Sequence, residues 1–262
     1  MIDAADDFAP LRRELDAWQA LGKRATLWWR DDDAAVPAPS LEKLFALRRA
    51  SAVPLALAVV PAKASPSLPA AFGDGEVAIL QHGYAHANYA PPSAKPCELG
   101  VHRPAQIVIG ELATGWDTLH KMFGARALPV LVPPWNRIAP AVSAGLPRLG
   151  YRALSAFGPR AVAEPVPGLL QVNCHADPIV WREDKRFAGA SATLERLRAH
   201  LAARREGHAD PSEPTGLLTH HRDMDPLCWA FLEELLGRLR THPAVTFPPL
   251  PSLLAAPLLA PR

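Results

Sequence analysis

The sequence predicts an α/β fold, a closed or nearly closed barrel of parallel strands wrapped by helices, and three observations predict it. Short apolar runs of strand character alternate with helical patterns in about seven units, which is the order of a parallel sheet. The 262 residues suit one such barrel, which commonly runs to roughly 250 residues as a single domain. The residues after the strand-like runs are those of catalytic sites: Asp31, Asp32 and Asp33, then His82 and His86, Pro134 to Arg137, His175 and Asp177, and His220 and His221. In a parallel barrel the carboxyl ends of all strands form one rim, so residues far apart in sequence converge there.

The elements follow in order. Leu11, Leu15, Trp18 and Leu21 share one face of a first helix, expected over about residues 8–22 and packed on the barrel. Ala25 to Trp29 reads as a strand, and the run from Ser40 as a helix with Ser40 as its N-cap. Pro54 to Val60 is a second strand, followed by a Pro- and Ala-rich helical stretch ending near Gly73; Glu76 to Leu80 is a third. A long loop, Ala87 to Pro104, leads to a helix from Ile107 to Phe123. Then come strand Leu128 to Val132, helix Ala139 to Leu149, and strands Arg152 to Ala156 and Gly168 to Asn173. Helix Ser191 to Arg205, strand Gly216 to Thr219 and helix Pro226 to Leu239 precede an apolar, Pro-rich end, Ala244 to Arg262, expected to close the fold as a strand or coil. Many of the 29 prolines stand after strands or at helix starts, where they fix loops without breaking elements.

Composition removes several function classes. Residues that are 49% apolar and 21% charged give a sizeable core and an ordinary surface, so disorder is not expected. A net charge of +2, with basic and acidic residues interspersed, lacks the footprint of a nucleic-acid binder. Pro, Arg or Asp interrupts every apolar stretch before the ~20 residues of a membrane span. The N-terminal run begins with acids and has no apolar segment after a basic start, so it does not read as a secretory signal, and the expectation is a cytoplasmic protein. Cys97, Cys174 and Cys228 are odd in number and far apart, which fits core thiols better than a disulfide framework or a four-cysteine zinc site.

The chemistry gathers at the strand ends. Carboxylate and imidazole suit a catalytic zinc, which takes three protein ligands and leaves one place for water. One Asp of the triplet with His82 and His86 makes that set. The HGYAH spacing lets both imidazoles reach one ion from a single helical turn. Three adjacent carboxylates after the apolar run LWW repel one another unless a cation or a raised pKa relieves them, although a solvated loop is the plainer account. Trp28 and Trp29 are expected in the core or rim packing.

The ordered set WRDDDA, HGYAH, VPPWNR, HADPIVW and LLTHH resembles the five motifs of the polysaccharide deacetylases, the NodB-homology family of carbohydrate esterases, over roughly Leu27 to His221. The resemblance implies a distorted (β/α)7 barrel and a divalent ion, zinc or another divalent transition metal, on an Asp-His-His set. By position it puts the general base on Asp31 and the metal carboxylate on Asp32. Asp33 stands where the family has glycine, which leaves the assignment within the triplet open by one residue. His82 and His86 match the metal histidines. Pro133, Pro134 and Trp135 match a loop whose aromatic residue lines the substrate groove and whose backbone N–H faces the oxyanion. His220 matches the general acid, Asp177 the acid that orients it, and Trp181 an aromatic packed near the acyl group. Two positions depart. The arginine that holds the base is Val132 here, with Arg137, Arg103 or Arg30 as substitutes, and the second acid of the fourth motif is Val180. These changes point to an outlying branch of the family.

The expected function is therefore a metal-dependent hydrolase acting on an N-acyl sugar or polysaccharide precursor. Its alternatives are an amidase on a non-sugar C–N bond and a glycan-binding barrel without turnover. Arg137 is a candidate substrate contact, Glu98 and Arg103 are candidates on the long loop, and His221 is a hydrogen-bond partner behind the site or an exposed residue. An open aromatic-lined trough favours a glycan and a small closed pocket favours a metabolite.

Overall fold

The structure, a computed structural model, describes residues 6–72, 77–182 and 184–255. In chain order these form α1 (Ala9–Ala20), β1 (Ala25–Ala34), α2 (Pro39–Ser51), β2 (Leu55–Val59), β3 (Val77–His82), α3 (Ala105–Phe123), β4 (Ala127–Val132), α4 (Pro140–Ser143), β5 (Ala153–Leu154) and β6 (Leu170–Gln171). There follow a hairpin of β7 (Ile179–Val180) and β8 (Arg186–Phe187), then α5 (Ala190–Glu206), β9 (Thr215–Thr219), α6 (Pro226–Thr241), β10 (Val245–Thr246) and α7 (Leu250–Ala255).

The main sheet is parallel and runs β10-β1-β2-β3-β4-β5-β6, with β9 also paired to β1. It closes through residues 172–177, which continue from β6. On one side Cys174 bridges Phe157; on the other Ala176 bridges Leu217 of β9. The N–H groups of His175 and Ala176 donate to the Gly216 carbonyl at 2.7 and 3.2 Å. Strands β1 to β6 and β9 thus make the distorted (β/α)7 ring that the sequence predicts. Gly216 admits this closure because a Cβ there would stand 2.5 Å from the Asn173 carbonyl and 2.5 Å from Trp28 Nε1.

The core has an inside and an outside. Trp28, Ala56, Ala58, Leu80, Val130, Val132 and Leu218, taken from alternate strand positions, fill the barrel, and Leu250, Leu253 and Leu254 of α7 pack onto this cluster. Leu27, Trp29, Leu55, Leu57 and Ile79 face the other way, toward the helices. Every residue of β2 is buried, as a strand covered on both faces requires. Helix α1 lies on α5, where Arg205 pairs with Glu14 at 2.7 Å. Helix α6 begins with Asp225 accepting the Cys228 N–H at 2.8 Å and Pro226 in its first turn. All three cysteines are free and buried, and no described helix is long and apolar enough to cross a membrane.

Several elements differ from expectation. Strand β1 continues through the acidic triplet to Ala34, so Asp31 to Asp33 belong to the strand and not to a loop after it. Ser40 does not cap α2; the cap position is Ala38, with Pro39 in the first turn. The stretch after β2 is two 3-10 turns, Pro61–Lys63 and Leu68–Phe72, because its prolines remove the donors a longer helix needs. The helix expected from Ala139 divides into α4 and a 3-10 turn at Leu146–Leu149. The β7–β8 hairpin lies in a stretch the sequence reading left as loop. Gly73, Glu76 and the chain beyond 255 lie outside the described residues.

Candidate metal centre and active site

Alternation along β1 decides what each acid does. Trp28, Arg30 and Asp32 share the barrel-facing side, while Trp29 and Asp31 face the outer layer. Asp31 is fully buried there: its carboxylate accepts the Thr219 hydroxyl at 2.7 Å and the His221 N–H at 3.0 Å, and pairs with His221 Nδ1 at 2.5 Å. Asp31 and His221 therefore tie β1 to the end of β9 behind the cavity. Beyond Asp31 the pairing with β2 shifts register, and Asp33 adopts a left-handed φ of 71°. This bulge turns Asp33 into the cavity alongside Asp32.

Asp33 Oδ1 lies 3.2 Å from His82 Nε2 and 3.3 Å from His86 Nε2. Of the triplet it is Asp33, and not the expected Asp32, whose carboxylate lies within ion-pair distance of both imidazoles. Asp32 is instead engaged by Arg30, with Nε 2.9 Å from Oδ1 and Nη2 3.0 Å from Oδ2. Asp31, expected at the base position, points out of the cavity, and Asp32 lines it beside Asp33. Arg30 is wholly buried and also donates to Ser155 Oγ at 2.6 Å and Asn136 Oδ1 at 3.1 Å. Burial works against its charge, but Asp32 outweighs burial and holds the guanidinium above its usual range. Of the three substitutes weighed for the arginine missing at Val132, Arg30 is the one that reaches. Arg103 pairs with Glu111 at 2.7 Å and stacks on Tyr89, and it does not line the cavity.

His82 ends β3, and its Nδ1 meets the Val132 carbonyl at 3.0 Å, an arrangement that leaves Nε2 with a lone pair toward Asp33. HGYAH is not a helical turn. Gly83 and His86 take left-handed φ values of 56° and 50°, and this tight turn brings the second imidazole back over the first. Glu98, buried, braces the turn by accepting the N–H of Ala85 at 2.7 Å and of Tyr84 at 3.2 Å, so its role is in the loop and not on substrate. Position 83 has to be glycine: a Cβ would stand 2.1 Å from Glu98 Oε2 and 2.6 Å from the Pro134 ring.

The walls of the cavity come from other strands. His220, after β9, has Nε2 4.0 Å from Asp32 Oδ2 and Nδ1 3.7 Å from Asp177 Oδ2. Asp177 accepts the Trp181 indole N–H at 2.8 Å and the Ile179 N–H at 2.9 Å, and Trp181 stands edge-on to His220 with ring centres 4.5 Å apart. Burial pushes the Asp177 carboxyl above its usual range, against the opposing pull of His220. Burial likewise favours the neutral form of Asp33, but His82, His220 and His86 outweigh it and hold that carboxyl low. Trp135 follows Pro134, packs on His86 at 4.3 Å, and has φ 55°, with Asn136 next at 56°. Four of the five described non-glycine residues with positive φ, Asp33, His86, Trp135 and Asn136, line this one cavity of about 370 Å³. Backbone strain that gathers in one place marks a functional site.

His175 belongs elsewhere. Its ring lies face to face on His200, centres 3.4 Å apart, and the two Nε2 atoms stand side by side against separate oxygens of Glu213 at 3.4 and 3.5 Å. The Gly216 N–H donates to His175 Nδ1 at 3.0 Å, which fixes the ring proton on Nε2. Parallel rings do not converge on one ion, so this trio is a buried charge cluster beneath the barrel closure. Lys185 is a cavity residue that sequence reading missed, because the β7–β8 hairpin carrying it went unread.

No family model matches the chain, and no curated protein sequence matches it. Solved structures do. A protein described as a polysaccharide deacetylase from Mycobacterium smegmatis is 16% identical with a TM-score of 0.64, covering 89% of this chain and 90% of that one. A family 4 acetyl xylan esterase from Clostridium thermocellum, in complex with a cobalt ion, is 14% identical with a TM-score of 0.54, over 87% and 89%. The Bc1960 peptidoglycan N-acetylglucosamine deacetylase is 12% identical with a TM-score of 0.54, over 88% of each chain. The chain therefore has the fold of the polysaccharide deacetylases.

Proposed function

We propose that the chain is a metal-dependent hydrolase that removes an acyl group, acetyl first among them, from an amide nitrogen of a sugar or polysaccharide precursor. One observation carries the reading. Asp33, His82 and His86 present their ligand atoms 3.2 and 3.3 Å apart, while Asp32 and His220 face each other at 4.0 Å beside them. Ligands held at about 2.0–2.1 Å around a tetrahedral zinc are separated by roughly 3.3 Å, so the donor set fits the ion. Similarity to a cobalt-bound esterase of the same fold supports that fit.

Asp33, His82 and His86 would hold the cation, which when bound supplies Lewis acidity to an amide carbonyl and to water. Asp32 takes the proton from the attacking water. Its carboxylate is kept in place by the Arg30 fork, which leaves Asp32 able to accept without swinging away. His220 gives a proton from Nε2 to the departing amine, with Asp177 facing its Nδ1. The Trp135 N–H is the backbone donor for the developing oxyanion, since the N–H groups of Asn136 and Arg137 are spent on the carbonyls of Pro133 and Pro134. Trp181 and Trp135 form apolar walls that exclude water from the acyl group.

The test is metal analysis of the purified protein joined to an acetate-release screen over N-acetyl sugars. One equivalent of a divalent transition metal, with acetate released and both lost in His82→Ala, is the expected result. Metal-replete protein that releases acetate from none of them, or full activity in His82→Ala, overturns the reading.

A further inference from the structure

We propose that the substrate is a small N-acylated anion, and that the Arg137 guanidinium reads its carboxylate or phosphate. This rests on the hydrolase reading and names the substrate class for the same site. The argument begins with charge. Among the groups lining the cavity, Asp32 is matched by Arg30 and Asp33 by two imidazoles. Asp177 is matched by His220 and the Trp181 N–H, and Lys185 by Asp223 at 2.7 Å. Arg137 has no carboxylate within ion-pair distance among the described residues. Its one side-chain bond runs from Nη1 to the Pro96 carbonyl at 2.9 Å, which leaves most of the donor fork for a ligand.

The backbone that carries the guanidinium is also held in position. The Arg137 carbonyl accepts the Cys97 thiol at 3.7 Å, its N–H donates to Pro134 O at 3.3 Å, and the two left-handed residues before it, Trp135 and Asn136, set its direction out of the turn. A planar fork fixed at one corner suits two-point recognition of a carboxylate or phosphate. A cavity of about 370 Å³ stands near the low end of the roughly 300–1,000 Å³ of small-molecule pockets. That volume accommodates one ring with its substituents beside Trp135 and Trp181, which line it.

The test compares kcat/KM for acetate release from N-acetylglucosamine, N-acetylmuramic acid and N-acetylglucosamine 6-phosphate, in wild type, Arg137→Gln and Arg137→Lys. The two anionic sugars separate a carboxylate from a phosphate as the recognised group. The expected result is a preference for at least one anion of about tenfold or more, the worth of a charge-assisted contact. That ratio collapses toward one in Arg137→Gln, mainly through KM, and is partly kept in Arg137→Lys. A neutral sugar or an oligosaccharide hydrolysed as well as the better of the two anions overturns the proposal, as does an unchanged ratio in Arg137→Gln. Calorimetric binding of the same three sugars to Asp32→Asn keeps this separate from the hydrolase reading. Anion binding that depends on Arg137, with no acetate released by wild type, sinks that reading and leaves the ligand class standing; equal binding of neutral and anionic sugars sinks the ligand class alone.

Discussion

Arg30 and Asp32 stand two residues apart on the same face of β1, and their side chains meet in a two-point ion pair inside the barrel, 2.9 and 3.0 Å long. The pair places a charge at the cavity that Asp33, His82 and His86 line and, with Ser155 and Asn136, ties β1 to the end of β5 and to the turn after β4. Removing one partner leaves the other charged and buried, which costs about 3–5 kcal/mol. Arg30→Met is expected to lose that much in urea denaturation. Arg30→Lys keeps the charge without the fork and should fall between. A denaturation midpoint in Arg30→Met equal to wild type would show that the pair holds nothing.

The three acids of the triplet should separate by experiment. Asp33→Ala is expected to lose stoichiometric metal and turnover together. Asp32→Asn should keep the metal and lose turnover by about 10²–10⁴-fold, the usual worth of a general base. Asp31→Asn should do neither directly, yet unsettle the fold by about 1–3 kcal/mol, because it puts an amide NH2 in place of the buried carboxylate oxygen that faces His221 Nδ1. Metal content, kcat and denaturation midpoint, measured on all three, check the order. Metal lost from Asp32→Asn but kept in Asp33→Ala would return the ligand to Asp32.

Gly83→Ala probes the turn that carries the second histidine. The left-handed φ alone costs an alanine about 1–2 kcal/mol, and its Cβ would press on Glu98 Oε2 and the Pro134 ring. Relief requires Glu98 to withdraw from the N–H groups of Tyr84 and Ala85, so His86 should shift. Weaker metal affinity together with a lower melting temperature is expected. Metal affinity equal to wild type would show that the turn adapts freely.

Much of this was legible in the sequence, and the misses have physical reasons. The strand–helix alternation gave the barrel because β2, β3 and β4 are apolar runs bounded by turn residues. The rim was legible because His82, Trp135, Asp177 and His220 follow those runs. Which acid of the triplet meets the two imidazoles was not legible, because three identical side chains carry no pattern of their own. The period of two from Leu27 and Trp29 outward, and Trp28 and Arg30 inward, would have put Asp32 rather than Asp31 inside. No local signal marks the bulge that re-aims Asp33. Lys185 was missed because two-residue strands such as β7 and β8 are too short to show a period. The His175–His200–Glu213 cluster joins elements distant in sequence through tertiary packing alone.

That cluster sets the last prediction, the dependence of stability on pH. Burial pulls His175 down from an ordinary 6.5 to about 4, and His200 moves the same way for the same reason. Burial alone would raise Glu213, but the two imidazoles outweigh it and bring the carboxyl from 4.5 to about 2. In each case the unfolded chain takes up a proton at a pH where the folded chain does not, so acid favours unfolding. For His175 the loss begins as pH falls through 6.5 and is complete near 4; for Glu213 it runs from 4.5 toward 2. A shift of this size is worth up to about 3 kcal/mol, shared within the cluster and not summed over it. Geometry explains the direction for His175: a second ring proton would sit on Nδ1, against the Gly216 N–H that donates to it at 3.0 Å, and would push the closing segment off β9. Urea midpoints should therefore be level above pH 7 and fall steadily from pH 6.5 to 4.5. Groups elsewhere in the chain add to the total, so the informative quantity is the difference in slope between wild type and His200→Gln, which should be shallower. Equal slopes in the two proteins would mean that the cluster does not govern the acid limb.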